Sequence, residues 1–95
     1  MITHIVMFKL KNRNSENIEK AKNVLMDMED KIKELKHIEV GIDITNSNRS
    51  YDIVLLTKFD NVEGLEAYQI NPLHVKVAEY LGSVSESIVA VDYES

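Results

Sequence analysis

The stretch YDIVLLTKF, residues 51–59, predicts a β-strand with two apolar faces. Its apolar side chains alternate between the faces, with Ile53, Leu55 and Phe59 on one and Val54 and Leu56 on the other. An antiparallel sheet with one face in water normally alternates apolar and polar residues. We therefore expect a sheet whose two faces are both covered.

The elements on either side of this strand give a fold class. The periodicity of apolar residues predicts five more elements: a first strand over 1–11, a helix over 16–36, a strand over 38–45, a helical region over 61–81 and a last strand over 84–93. Asn14 and Ser15 are candidate caps for the first helix, Asp60 and Glu63 have capping-box spacing before the second, and Gly82 is the expected end of that region. The order β-α-β-β-α-β is that of an α+β, ferredoxin-like fold.

The long predicted helix carries one apolar stripe. Its members recur at steps of three and four: Ile18, Ala21, Leu25, Met28, Ile32 and Leu35. Glu, Asp, Lys and Asn occupy the opposite face, as on a surface helix that packs against a core.

Strands with apolar residues on both faces also predict a second protein chain. The first and last strands are apolar on both sides, and only the second is one-sided, as suits a sheet edge. Two helices cover one face of a four-stranded sheet, so a second copy of the chain is the expected cover for the other. The alternative is that these residues only reflect the β propensity of branched side chains.

Composition limits the function classes. A chain of 95 residues predicts one domain, 1–95, and the absence of cysteine excludes disulfides and thiolate chemistry. The net charge of −5 argues against a nucleic-acid partner. No run approaches the about 20 apolar residues of a membrane span, and the start MITHIVMFKLKN lacks signal-peptide features, so we expect a cytoplasmic protein. The histidines at 4, 37 and 74 have no metal-ligand spacing, and we predict neither a metal nor a cofactor.

The segment YQINPLHVKVAEY, residues 68–80, predicts a broken helix. Pro72 cannot continue a helix but is well tolerated at the first position of a new one, and Asn71 is then its cap. In a straight helix Tyr68 and His74 would point about 120° apart. Across a break they can share a pocket.

His74 then has two interpretations. In the first turn of a new helix the dipole disfavours imidazolium, and a neutral imidazole suits a general base. Alternatively, His74, Ala78 and Leu81 form one helical stripe, and His74 is a structural histidine beside a core tyrosine, Tyr68.

His4 is a third candidate polar residue for the pocket of Tyr68 and His74. His4 shares a strand face with Val6 and Phe8. If the helices cover that face, His4 and His74 line one cavity, and a buried ring of this kind needs a hydrogen-bonding partner.

Five segments together resemble one family. HIVMFKLK, EVGIDI, RSYDIVLLTKF, LEAYQINPLHVKV and SVSESIVAVDYE, which span nearly the whole chain, are similar to stress-responsive A/B barrel domain (Dabb) proteins. The more specific marks are a first-strand histidine, S-Y-D before the third strand and Y-x-x-x-P-x-H. The resemblance implies a dimeric α+β barrel built from two ferredoxin-like units.

The resemblance also implies candidate site residues. Some plant relatives are polyketide cyclases that close a ring without a cofactor, and by motif position their tyrosine–histidine pair falls on Tyr68 and His74. The pocket-lining first-strand histidine falls on His4. We take Tyr68 and His74 as candidate catalytic residues and His4, Val6, Phe8 and Asn71 as candidate substrate-binding residues. The chain departs from the family at Asn71, where many members have histidine.

Two functions remain open from the sequence. In the first, the protein binds or converts a small hydrophobic or polyketide-like molecule, with His74 as base and Tyr68 as hydrogen-bond donor. In the second, it is a non-catalytic dimer that binds a ligand or has a stress-related structural role. An open cavity that reaches His74 and Tyr68 favours the first function, and filled space favours the second.

Overall fold

The computed structural model of the protein describes all residues from 1 to 95. Its elements are β1 (Ile2–Leu10), α1 (Ser15–Met26), β2 (His37–Ile42), β3 (Ile53–Phe59), α2 (Val62–Ile70), α3 (Pro72–Val84) and β4 (Ser85–Glu94). This order confirms the predicted ferredoxin-like α+β fold, with the second helical region divided into α2 and α3.

The four strands form one antiparallel sheet in the order β2-β3-β1-β4. The two-faced strand β3 is central, and β2 is an edge strand, as expected. β4 is the other edge. On the face away from the helices, Ile5 of β1 lies opposite Leu56 of β3 and Val91 of β4, so one apolar row crosses three strands.

The core lies between the other sheet face and the helices. Alternate residues of β3 are buried because each second side chain points toward the helix layer. Fourteen buried apolar residues form the cluster: Val6, Phe8, Leu10, Ala21, Leu25, Met28, Ile32, Ile53, Leu55, Phe59, Leu65, Tyr68, Val77 and Leu81.

The first helix is shorter than the predicted 16–36, because α1 ends at Met26. The chain continues through turns, and Asp30 takes a left-handed conformation with φ of 62°. Acidic residues follow the end of α1, and its last turn has no basic residue, an arrangement that opposes the helix dipole. Met28 and Ile32 nevertheless stay buried, since turns with i→i+3 hydrogen bonds keep them facing the core.

Two other predicted boundaries are wrong. β2 ends at Ile42 and not at 45, because the Asp43 carboxylate accepts the N–H of Asn46 at 2.7 Å and turns the chain. Ile44 is consequently 94% exposed. Gly82 does not end α3, which continues to Val84 and leads directly into β4, so no left-handed cap is needed there.

Helix caps are set by asparagine side chains. Asn14 accepts the N–H of Asn17 at 2.8 Å at the start of α1. Asn61, and not Asp60, begins α2 by accepting the N–H of Gly64 at 2.8 Å. A short side-chain oxygen at the cap satisfies an N–H that has no partner within the helix.

The S-Y-D motif before β3 has a structural role. Its aspartate, Asp52, is buried and accepts the backbone N–H of Leu10 at 2.8 Å and the Arg13 Nε–H at 2.8 Å. The carboxylate thus joins the end of β1 to the start of β3 with its charge compensated. This ties down the first strand, which carries His4.

Candidate functional site

The predicted helix break is present at Asn71. Asn71 is extended, with φ of −62° and ψ of 131°, and Pro72 is the first residue of α3. The Asn71 side chain accepts the N–H of Leu73 at 2.9 Å. The break follows from the restriction that proline places on the preceding residue.

The break also releases a backbone carbonyl. In a continuous helix the C=O of residue 69 would accept the N–H of residue 73. Leu73 donates to the Asn71 side chain instead. The Gln69 carbonyl is therefore available to His74, whose Nδ1 lies 3.1 Å from it. A carbonyl can only accept, so Nδ1 carries the proton and Nε2 of His74 holds the lone pair.

Tyr68 lies directly against this imidazole. The ring centroids of Tyr68 and His74 are 4.3 Å apart, and Phe59 packs on the tyrosine at 4.8 Å. Tyr68 is fully buried, and its hydroxyl donates to Met28 Sδ at 3.8 Å. A thioether is a weak acceptor, so a ligand oxygen of ordinary strength would compete well for this donor.

Burial shifts the pKa values of both groups in ways that separate their roles. Burial raises the pKa of Tyr68 well above its usual value, so the phenol stays protonated. Burial lowers the pKa of His74; the hydrogen bond to Gln69 acts against this shift, and the nearby His4 adds to it. At neutral pH the pair is a hydrogen-bond donor beside a neutral imidazole.

His4 has a partner that the sequence did not reveal. Its Nδ1 lies within hydrogen-bonding distance of the Asp92 carboxylate, across the β1–β4 pair. Asp92 is itself exposed on the edge strand, with 45% of its side chain accessible, and its carboxylate still reaches the largely buried His4 ring. Asp92 shares its strand face with Ile88 and Ala90, and this alternation was the available signal. A carboxylate can only accept, so Nδ1 of His4 donates and its Nε2 is left without a protein partner.

A cavity of about 140 Å³ connects these groups beneath α3. His4, Tyr68 and His74 supply its polar wall, and the ring centroids of His4 and Tyr68 are 6.2 Å apart. The rest of the wall is apolar: Val6, Phe8, Leu25, Met28, Leu55, Val77, Ala78, Leu81 and Ile88. A larger groove of about 450 Å³ beside the β2–β3 connection includes none of the histidines.

The structure brings together five of the six predicted site residues. Val6 and Phe8 line the cavity with the three polar groups, whereas Asn71 is not among its lining residues and acts as the cap of α3. His37 lies apart, on the exposed start of β2. No group of three or more histidine, aspartate or glutamate residues is arranged to hold a metal ion.

The lowered His74 pKa can be tested by NMR. We expect the ring protons of His74 to titrate below the usual value of about 6.5. A His74 midpoint at or above about 6.5 would contradict the burial inferred for its ring.

No helix has the length and apolar character required to cross a membrane.

The family is decided by a match over almost the whole chain. The model of the Stress responsive A/B Barrel Domain, Dabb, matches residues 2–95. The chain belongs to the Dabb family. The resemblance drawn from five segments of the sequence is thereby confirmed, and the Dabb marks map onto His4, Asp52 and the Tyr68–His74 segment.

A curated protein is similar in sequence to this Dabb chain. It is 29% identical over 102 residues to the stress-response A/B barrel domain-containing protein DABB1 of Arabidopsis thaliana, covering 98% of this chain and 46% of that protein. The chain thus spans about half the length of this curated relative.

Two solved structures are similar over nearly their whole length. A dimeric protein of unknown function with a ferredoxin-like fold from Bacteroides fragilis is 31% identical, with a TM-score of 0.81 and coverage of 99% of this chain and 95% of that one. A dimeric ferredoxin-like protein of unknown function from Thermobifida fusca is 25% identical, with a TM-score of 0.87 and coverage of 99% and 90%.

Proposed function

We propose that this Dabb protein binds a small, mainly apolar molecule beneath α3 and moves a proton on it without a cofactor. The observation that supports this most strongly is the state of His74. Its Nδ1–H is engaged by the Gln69 carbonyl, which leaves the Nε2 lone pair on a neutral ring beside a protonated phenol. A base that is neutral at physiological pH and a donor next to it suit general acid–base chemistry.

The proposed step is proton removal next to a carbonyl. His74 Nε2 takes the proton from the carbon, the electron pair of the C–H bond forms the C=C bond, and the carbonyl π electrons move to oxygen. The Tyr68 hydroxyl exchanges its weak bond to Met28 for one to this enolate oxygen. A donor already in place where charge develops lowers the barrier without reorganisation. His74 then returns the proton to carbon or to oxygen.

His4 forms the second polar wall in this proposal. The Asp92 carboxylate holds Nδ1 and so orients the ring, which leaves Nε2 for a contact with the ligand. Val6 and Phe8 supply apolar contact from the same strand. Asn71 contributes indirectly, since its cap maintains the break that orients His74.

One observation favours a non-catalytic alternative. Tyr68 is fully enclosed, with Phe59 on one side and His74 on the other, as a core aromatic would be. In this alternative the cavity holds a ligand without changing it.

Proton exchange separates the two functions. We expect the protein to accelerate the incorporation of deuterium at the α-carbons of cyclohexanone in D₂O, monitored by NMR. The control is the same protein after thermal unfolding, which retains every titratable group without the site. Chemical-shift changes at the cavity methyl groups without faster exchange would identify a binding protein and contradict the catalytic proposal.

The proposal includes a homodimer formed through the open sheet face, the side of the sheet away from the helices. Its apolar residues are Ile5, Met7, Val54, Leu56, Val89, Val91 and Tyr93. In one chain Val91 is 60% exposed and Tyr93 46%. Burying such a side chain is worth roughly 1.5–3 kcal/mol, so pairing two copies would remove a large unfavourable contact with water. The similar proteins from Bacteroides fragilis and Thermobifida fusca are dimeric, which supports a homodimer.

Light scattering tests the dimer. At micromolar concentration we expect twice the chain mass of 10.9 kDa. Val91→Asp places a charge in the middle of the open sheet face and should shift the protein to monomer, because an unpaired charge is costly to bury. Ile70→Asp is the matched control, since Ile70 is 79% exposed at the end of α2, on the helix side. A wild-type monomer, or equal effects of the two variants, would contradict the assignment of this face.

A further inference from the structure

We infer that the ligand of the cavity is a compact single-ring compound with one O–H group, a phenol or the enol of a cyclic ketone. The inference rests on the proposed function, because it assigns a ligand class to the same site. It depends on three properties of the cavity: its volume, the distribution of its polar groups and the pattern of donors and acceptors among them.

Volume sets the size of the ligand. A buried cavity of about 150 Å³ is known to hold benzene, and this one measures about 140 Å³. Sites for drug-sized molecules are roughly 300–1,000 Å³. The cavity therefore fits one ring of about six to eight non-hydrogen atoms. An extended polyketide-like chain, which the sequence left open, would not fit within this volume.

The distribution of polar groups sets the position of the functional group. His4, Tyr68 and His74 are the only lining residues with polar side chains, and the nine others are apolar. Neither lysine nor arginine lines the wall, so no fixed positive charge is present to compensate a carboxylate or phosphate. A second polar substituent would lose water and gain no partner. The ligand thus carries one polar group, at the histidine end.

Hydrogen-bonding capacity identifies that group. The buried Tyr68 hydroxyl is a donor, whereas Nε2 of His74 is an acceptor because its Nδ1–H is engaged by the Gln69 carbonyl. A single hydroxyl group accepts from Tyr68 and donates to His74 Nε2. A hydrocarbon makes neither bond, and an ether or ketone oxygen makes only the first. A phenol or enol therefore complements the site.

Three compounds separate the contributions of size and hydroxyl. Phenol meets both the size and the hydroxyl criterion. Toluene has the same size but no hydroxyl, and 4-phenylphenol has the hydroxyl but carries a second ring that exceeds the size. Binding is measured from the methyl signals of Leu25, Leu55 and Leu81, which line the cavity. We expect phenol to bind about tenfold more tightly than toluene, the equivalent of one to two net hydrogen bonds, and 4-phenylphenol to cause no shift at these methyl groups.

A tyrosine variant checks the role of the donor. Tyr68→Phe retains the ring and should reduce the preference for phenol over toluene to nearly one. Tyr51→Phe is the matched control, because the Tyr51 hydroxyl contacts Ser87 at 2.7 Å and Tyr51 does not line the cavity. Loss of the preference in both variants would indicate a general loss of packing and overturn the assigned donor.

The outcomes distinguish this inference from the proposed function. Toluene binding as tightly as phenol would overturn the hydroxyl requirement, and 4-phenylphenol binding at the cavity methyl groups would overturn the size limit. In either case a ligand site beneath α3 would still stand. If none of the three compounds shifts these signals, both the ligand class and the proposed site are wrong.

Discussion

His74→Ala is expected to reduce the acceleration of cyclohexanone deuterium exchange by about 10²- to 10⁴-fold, the usual contribution of a positioned general base. The variant removes the Nε2 lone pair that the Gln69 hydrogen bond leaves available. His37→Ala is the matched control, because His37 lies on the exposed start of β2 and pairs only with Glu39 at 3.9 Å. That control should retain the wild-type rate.

The pH dependence follows from the direction of the His74 shift. The base is active when deprotonated, so the exchange rate should rise with pH through the lowered pKa of His74 and be constant above about 6.5. The unfolded chain binds this proton more readily, so the His74 contribution to stability is present above about 6.5 and is lost as pH falls through the folded-state pKa. A rate that continues to rise well above pH 6.5 would point to a base other than His74.

Two outcomes would reject the catalytic role of His74 while leaving the fold intact. The first is a His74→Ala protein that retains its circular dichroism spectrum and the wild-type exchange rate. The second is an equal loss in His74→Ala and His37→Ala, which would trace exchange to exposed imidazoles acting as buffer. Folding of each variant is checked first, since the His74 ring packs against Tyr68.

The second large effect is expected at Ile32. Ile32→Ala should lower the free energy of unfolding by roughly 2–5 kcal/mol, because it removes buried methyl groups and leaves a cavity. Ile32 is only 3% exposed, although it lies in the turns after α1 and not in a helix. Ile44→Ala is the same substitution at a site that is 94% exposed, and it should change stability by less than about 0.5 kcal/mol.

Leu25→Ala provides the corresponding test inside α1. Leu25 is 1% exposed and lines the cavity, so a loss of roughly 2–5 kcal/mol is again expected. Urea unfolding gives all three values, and equal midpoints for Ile32→Ala and Ile44→Ala would show that the turns after α1 contribute nothing to the core. A large loss at Leu25 alone would limit the apolar stripe to the helix itself.

Local sequence patterns determined most of the architecture. Alternation in residues 51–59 identified a two-faced strand, and β3 is central in the sheet. Asn71 and Pro72 identified the helix break, because proline restricts both itself and the residue before it wherever it occurs. These features depend on a few neighbouring residues, so the sequence carries them directly.

The end of α1 shows where a local pattern misleads. The apolar stripe continues through Met28 and Ile32, and it predicted a helix to residue 36. In the structure the same residues reach the core from turns, since burial requires only that the side chains face inward. Apolar periodicity therefore predicts which side chains are buried more reliably than it predicts whether their backbone is helical.

Tertiary structure alone decided the contacts within the site and its dimensions. His4 and Asp92 are 88 positions apart, and only the β1–β4 register makes them partners. The Gln69 carbonyl reaches His74 because α3 departs from α2 at one particular angle. The cavity volume depends on how closely α3 approaches the sheet. Each of these properties depends on the packing of elements that are distant in the chain, and no local sequence pattern encodes a distance of that kind.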